Sequence, residues 1–290
     1  MNCRQSYRTN VAAWLGMLLC FATGCGTRAG AEALRGGDAA SCELCSALAR
    51  TPSTGLRTLT VALADTAGQG DRPASTATGG AKIAGRVLYE GDPPKRRVIN
   101  TAKDPQCAKL HGDKPVLDED LIVTDGGLAN AFVFVRRGAP KSTDPPPEKP
   151  AELNQRGCMF HPRVQAIRVG QKLLVGNADP VTHNVRSFPA LNAAFNFGQP
   201  PDTPPRQRLF DKAEREIEVQ CDIHPWMHAY IFVMEHPYYC VSADKGAYSI
   251  DGLPPGEYML ECWHEKLGRQ RKTITMGTSA LADVDFTFKP

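Results

Sequence analysis

An all-β protein is predicted from three properties of the 290-residue sequence. Short runs of Val, Ile, Phe and Tyr follow one another from residue 81 onwards, and none keeps a helical period. Turn residues separate these runs, and the chain contains 26 Gly and 23 Pro. Hydrophobic residues make up 42% of the chain, which suffices for one large core or two small ones. We therefore expect β-sandwiches in this part of the chain.

The expected strands form two groups, separated near residue 236. The first group comprises residues 82–89, 121–124, 129–136, 164–169, 172–175, 215–219 and 229–234. The second comprises residues 238–242, 247–250, 258–263, 272–276 and 284–288. The Pro-rich stretches 141–150 and 199–205 predict exposed loops. This grouping predicts one sandwich over residues 81–235 and a smaller one over residues 236–290.

Residues 1–25 have the pattern of a secretory signal peptide. Arg4 and Arg8 precede an apolar run at residues 11–22, and small residues follow before Cys25. The Ala-Thr-Gly-Cys end is similar to a lipoprotein processing box, so lipidation of Cys25 and ordinary cleavage both remain open. Either outcome places the protein outside the cytoplasm, in the periplasm or at the cell surface. Residues 26–80, rich in Ala, Gly, Thr and Ser, are expected to form a flexible linker.

Charge and motifs exclude several classes of function. The formal net charge is +3, and acidic and basic residues are interleaved, so nucleic acid is not an expected partner. We expect contact with a membrane only through a lipid anchor on Cys25. No nucleophile elbow, phosphate-binding loop or spaced carboxylate pair is present, so an enzyme is not expected. The oligomeric state is not predicted.

Ten cysteines are informative in an exported protein, because disulfides form there. Cys3 and Cys20 leave with the signal peptide, and if Cys25 is lipidated seven of the ten cysteines remain to pair. One arrangement of the remainder leaves Cys221 with a free thiol, although other pairings stay open. In this arrangement the pairs are Cys42 with Cys45, Cys107 with Cys158, and Cys240 with Cys262.

Metal-binding residue types are concentrated in Cys221-Asp-Ile-His224-Pro-Trp-Met227, between two expected strands. His183, further upstream, supplies a fourth donor. Two histidines, one cysteine and a weak axial methionine are the ligands of blue copper, because thiolate and thioether favour Cu(I) and imidazole accepts both oxidation states. The sequence therefore predicts one type 1 copper ion. Zinc fits less well because methionine is a poor zinc ligand, and an ordinary cluster of buried side chains is the other alternative.

The spacing Cys-x2-His-x2-Met with an upstream His183-Asn184 resembles the cupredoxin family, with an amicyanin-like ligand loop. Residues 164–177 resemble the cupredoxin segment that leads to the first ligand. This resemblance implies a Greek-key β-sandwich and an electron-carrying copper site. It also implies that Asn184 braces the ligand loop and donates to the thiolate, and that His224 lies on an exposed loop where electrons leave.

A second resemblance concerns the C-terminal region. Gly246-Ala-Tyr-Ser-Ile-Asp-Gly-Leu-Pro-Pro-Gly-Glu-Tyr258 resembles the prealbumin-like, carboxypeptidase-regulatory type of β-domain. The resemblance implies a small β-sandwich and says little about function. Residues 82–89 resemble the first strand of the same domain type, so an alternative division inserts the copper domain between its pieces.

These patterns together predict an exported blue-copper protein that carries single electrons. A c-type cytochrome or a dehydrogenase is the expected kind of redox partner. One alternative is a cell-surface carbohydrate-binding or adhesion protein whose cupredoxin-like part is structural. Another is a protein for copper storage or delivery.

Overall fold

The computed structural model describes residues 81–281 and 283–290, which lie within one compact unit. Almost all regular structure in them is β, so the predicted fold class is confirmed. None of their helices is long and apolar enough to cross a membrane. The helices are a 3-10 turn at Thr101–Lys103 and α1 at Pro105–His111. The strands are β1 Ala81–Tyr89, β2 Val123–Thr124, β3 Gly127–Leu128, β4 Phe132–Arg137, β5 Ala151–Gln155, β6 Phe160–His161, β7 Val164–Arg168, β8 Leu173–Asn177, β9 His183–Phe188, β10 Asn196–Gln199, β11 Arg206–Arg208, β12 Glu214–Gln220, β13 His228–Met234, β14 Tyr239–Val241, β15 Ala247–Leu253, β16 Gly256–His264, β17 Gly268–Met276 and β18 Phe286–Phe288.

The first sandwich consists of strands from the middle of the chain. One sheet has the order β10-β9-β12-β13-β7, and the other has the order β11-β8-β5-β6. Alternate residues of both sheets point inwards, as a two-residue period requires, and form a shared core that includes Leu153 and Val175 from one sheet and Val219 and Ile231 from the other. This core also contains Cys221 and Met227.

The second sandwich combines strands from both sides of residue 236. One sheet has the order β15-β1-β3-β2, with β18 also paired to β1, and the other has the order β14-β4-β16-β17. β1 pairs with β15 from Arg86↔Ala247 to Ala81↔Leu253, and β4 pairs with both β14 and β16. The sheets are therefore not divided at residue 236, and their pairing agrees with the alternative in which the first sandwich is inserted. The prealbumin-like character of this part stays a prediction.

A cluster of aromatic residues joins the two sandwiches. Phe132 on β4 stacks against Phe232 on β13 with ring centroids 4.0 Å apart, and Trp263 on β16 meets Phe232 edge-on at 5.1 Å. Beside this cluster, the buried guanidinium of Arg163 donates to the Glu265 carboxylate at 2.8 Å. Such aromatic packing adds to the burial of apolar surface and fixes β13 against the second sandwich.

The predicted disulfide between Cys107 and Cys158 is confirmed, with a Cα–Cα distance of 5.9 Å. The predicted pair of Cys240 with Cys262 is wrong, because Cys262 is a buried free thiol. Both residues face Val133 in the registers of β14 and β16 with β4, one on each side of that strand. Strands lie about 4.8 Å apart in a sheet, so the two Cα atoms are separated by roughly 9 to 10 Å, beyond the roughly 7 Å that a disulfide allows.

Four further predictions concern residues that the structure does not describe. The signal peptide at residues 1–25, the linker at residues 26–80, the lipidation of Cys25 and the pair of Cys42 with Cys45 all lie outside the described residues.

At Gly127, β3 approaches the backbone of the turn before β15 closely, and a substitution there tests this approach. A Cβ atom there would lie 1.9 Å from the Lys245 carbonyl oxygen, which is backbone and has little room to move. We expect Gly127→Ala to lower the free energy of unfolding by roughly 1–3 kcal/mol, as overpacking does. Gly198→Ala is the matched control, since nothing lies within 4 Å of its added Cβ. Urea unfolding measures both, and equal midpoints would contradict the close approach.

Candidate metal centre

Three neighbouring strands of one sheet bring the predicted ligands to the same end of the first sandwich. β12 pairs antiparallel with both β9 and β13, so the end of β12 lies beside the starts of its two neighbours. His183 is the first residue of β9, and Cys221 follows the last residue of β12. His224 and Met227 lie in the loop that leads into β13. The pairing therefore gathers all four residues at one end of the sheet.

The ligand loop is short and closed by its own backbone. The Cys221 N–H donates to the Met227 carbonyl oxygen at 3.3 Å, and the Met227 N–H donates to the His224 carbonyl oxygen at 2.9 Å. His224 and Met227 are fully buried and Cys221 is 2% exposed, whereas Ile223 between them is 50% exposed. The loop thus turns its candidate metal-ligand side chains inwards and its apolar Ile223 towards solvent.

The donor atoms of three predicted ligands converge. His183 Nδ1 lies 3.0 Å from His224 Nδ1, and Cys221 Sγ lies 3.6 Å from His224 Nδ1. All three donor atoms lie within 4.8 Å of one another. Nitrogens and sulfur at these separations can share one ion at about 2.0 Å from nitrogen and about 2.3 Å from sulfur, lengths that first-row metals such as zinc form. The arrangement therefore fits a single metal ion.

The Cys221 sulfur is arranged as a thiolate. Backbone N–H groups of Asn184 and His224 both donate to it at 3.4 Å. Burial raises the pKa of this thiol, but hydrogen bonds from His183, His224 and the two amides outweigh burial and lower the pKa to about 6. The Asn184 side chain also accepts the Asp222 N–H at 3.1 Å, so Asn184 contacts both the sulfur and the ligand loop.

Carboxylates hold the outer nitrogens of both histidines. His183 Nε2 lies 2.9 Å from Asp179 Oδ2, and His224 Nε2 lies 3.0 Å from Asp104 Oδ2. The bond to His224 lowers the pKa of Asp104. Burial raises the pKa of Asp179, but hydrogen bonds from His183 and from two backbone amides outweigh burial, so the pKa of Asp179 is lower than its ordinary value. With each Nε2 engaged, the Nδ1 atoms are left to face the centre.

The ligand loop is exposed at Ile223, as the resemblance implies, but the His224 ring itself is buried. Its exposed fraction is 0%, and residues from far away in the sequence cover its ring. Asp104 binds Nε2, the Cys107 sulfur lies 3.4 Å from the same atom, and the Trp226 ring packs with its centroid 5.2 Å away. The physical reason is the segment at residues 101–111, which the cupredoxin resemblance does not include.

Two further groups of potential ligands lie near this centre. One consists of Cys107, Cys158 and His224, and the other of Cys158, Asp179 and His183. Both use sulfur atoms of the Cys107–Cys158 disulfide, which are not thiolates and are poor metal donors. Among the described residues, only His183, Cys221 and His224 form a cluster of this kind with a free thiol. A soft sulfur donor with two imidazoles suits copper.

The sequence does not predict the two carboxylates that bind the histidines, or the helix that covers His224. Asp179 stands four residues before His183, and Asp104 immediately precedes Pro105. Asp-Pro is a recognisable start signal for a helix, and Asp104 does cap α1 by accepting the N–H groups of Gln106 and Cys107. Nothing in the sequence, however, indicates that this helix lies over His224.

Comparisons with known proteins give partial matches. No protein-family model matches the chain, and no curated protein does. Among solved structures, a purple cupredoxin from Nitrosopumilus maritimus is 21% identical and covers 29% of this chain and 99% of its own, with a TM-score of 0.24. Amicyanin from Paracoccus versutus is 19% identical, with 35% and 97% covered and a TM-score of 0.27. A Cu-containing nitrite reductase from Thermus scotoductus is 23% identical, with 35% and 25% covered and a TM-score of 0.26. The candidate centre is therefore judged on its own residues and distances.

Acid titration of the metal-free protein checks the state of Cys221. We expect its thiolate absorbance to appear near pH 6 instead of near the ordinary value of 9.0, because four hydrogen bonds stabilise the charged form. Copper binding should weaken below this pH as the thiol protonates. Cys221→Ser should remove the step, whereas the buried Cys262, whose pKa is raised well above its ordinary value, should not contribute to it. A thiolate step only near pH 9 would contradict the proposed hydrogen bonding.

Proposed function

We propose that this protein binds one copper ion through His183, Cys221, His224 and Met227 and carries single electrons between redox partners outside the cytoplasm. The convergence of two imidazole Nδ1 atoms on a free, hydrogen-bonded cysteine sulfur carries this proposal. Met227, fully buried in the same loop, supplies the thioether of the predicted ligand set.

Electron transfer is favoured over catalysis by the closed surroundings of the donors. Each histidine is held at Nε2 by a carboxylate, and the sulfur is held by two amides. Ligands that are already fixed need little rearrangement when the oxidation state changes. The ligand side chains are 0–2% exposed, and four donors leave no coordination position for a substrate.

An oxidising compartment agrees with the Cys107–Cys158 disulfide, since such bonds are rare in cytosolic proteins. This supports the proposed location in the periplasm or at the cell surface, with attachment through a lipid on Cys25 as one form of it. A c-type cytochrome or a dehydrogenase remains the proposed type of partner. Its contact would involve surface other than the His224 ring, because that ring is covered.

Copper titration followed by visible spectroscopy tests the proposal. Stoichiometric Cu(II) should produce an intense band from charge transfer between the Cys221 thiolate and copper. Cys221→Ser should abolish the band. Cys262→Ala is the matched control, because Cys262 is the other buried free thiol of the described residues and should leave the band intact.

Absence of the band in the wild-type protein would reject the blue-copper function. That result would leave the cell-surface carbohydrate-binding or adhesion protein with a structural sandwich as the remaining proposal. A band that survives in Cys221→Ser would instead show that copper binds elsewhere.

Redox cycling separates electron transfer from copper delivery. Because the outer nitrogens of both ligand histidines are held by carboxylates, we expect copper to stay bound on reduction and the visible band to return fully on reoxidation. Copper content after gel filtration of the reduced protein measures this retention. Loss of Cu(I) to a competing chelator during each cycle would favour storage or delivery.

A further inference from the structure

A segment remote from the ligand loop forms the outer wall of the centre. This covering segment, residues 101–111, consists of the 3-10 turn, Asp104 and α1. Asp104 Oδ2 lies 3.0 Å from His224 Nε2, while Asp104 Oδ1 accepts the N–H groups of Gln106 and Cys107. One carboxylate therefore caps the helix with one oxygen and engages a predicted ligand with the other.

The covering segment is anchored mainly by one covalent bond. Cys107 is the only buried residue of α1, and the 3-10 turn has none. Cys107 is joined to Cys158, which is itself fully buried in the first sandwich. Near the end of α1, His111 Nε2 lies 2.9 Å from the Gly157 carbonyl oxygen. With little apolar surface of its own to bury, the segment depends on the disulfide for its position.

The same disulfide is also linked to His183, through hydrogen bonds to Asp179. The Cys158 N–H donates to Asp179 Oδ2 at 2.7 Å, and the Gly157 N–H donates to Asp179 Oδ1 at 2.6 Å. Asp179 Oδ2 also engages His183 Nε2. One end of the disulfide is therefore three residues from the carboxylate on His224, and the other is hydrogen-bonded to the carboxylate on His183.

We propose that Asp104 is a positioning residue of the metal centre, which holds the His224 ring with Nδ1 towards the metal, and that the Cys107–Cys158 disulfide keeps it there. This inference rests on the proposed copper function. A carboxylate on the outer nitrogen fixes the ring orientation and makes the inner nitrogen a stronger donor. Its negative charge also favours Cu(II) over Cu(I).

Asp104→Asn and Asp104→Ser test the positioning role apart from the helix cap. Asparagine and serine both cap helices well, so α1 should persist, but neither supplies a carboxylate to His224. Loss of such an outer partner costs about 10- to 100-fold in metal affinity. Competition titration should show this loss of Cu(II) affinity in both variants. We also expect a higher reduction potential and a shifted visible band. Asp113→Asn, an exposed acid just beyond the same segment, is the control and should match the wild type.

Cys107→Ser/Cys158→Ser tests the tether. If the disulfide positions Asp104, this variant should show the weaker copper binding and higher potential of Asp104→Asn, with far-ultraviolet circular dichroism confirming the β fold. A folded variant with wild-type copper affinity would overturn the role of the disulfide. Should this variant fail to fold, the Asp104 variants still decide the role of the carboxylate.

The outcomes distinguish this inference from the function on which it rests. Wild-type protein without a thiolate-to-copper band rejects both. Wild-type protein with the band, and Asp104→Asn with unchanged affinity, potential and spectrum, rejects the positioning role and leaves the copper function standing. An equal effect of Asp113→Asn would show that general loss of negative charge is responsible, and would also reject the positioning role of Asp104.

Discussion

The antiparallel pairing of β9 with β12 is the constraint on which the centre depends. Gln220↔Arg186 is the last pair of this register, so His183 and Cys221 continue it at the same end of the sheet. Side chains alternate along both strands, and His183, Val185 and Ser187 are buried, as are Val219 and Cys221. A shift of one residue would turn one ligand to the opposite face. The core that fixes this register therefore also fixes the distance between imidazole and sulfur.

Much of this arrangement is accessible from sequence, because alternation and ligand spacing are local signals. The predicted strands 215–219 and 229–234 lie close to the observed bounds of β12 and β13. β9 was missed since His-Asn-Val-Arg-Ser-Phe contains few strong strand formers. Its position between β10 and β12 gives it hydrogen bonds on both edges, which compensates for weak propensity.

Contacts between distant segments were the part that sequence could not supply. The burial of His224 depends on Asp104 and Cys107, and neither local pattern nor composition indicates where their helix packs. The Cys107–Cys158 pair is predicted from the cysteine count, but the sequence carries no signal for its approach to His224. The pairing of β1 with β18 is similar in kind, because it joins residues at opposite ends of the described chain. Long-range pairing leaves only a weak trace in either strand.

A buried centre with two carboxylates beside a thiolate requires compensation for negative charge. Burial alone disfavours each ionised group, and these three lie close together. Backbone N–H groups provide part of the compensation, since Asp104 and Asp179 each accept two and the Cys221 sulfur accepts two more. Each imidazole lies between a carboxylate and the sulfur. Burial lowers the pKa of His183 and His224, but their hydrogen bonds to a carboxylate and to Cys221 outweigh burial and raise it, which favours the positively charged imidazole when no metal is bound. Under the proposed function a copper ion would supply the remainder, so the charges that are costly in its absence would attract it and favour its more positive oxidation state.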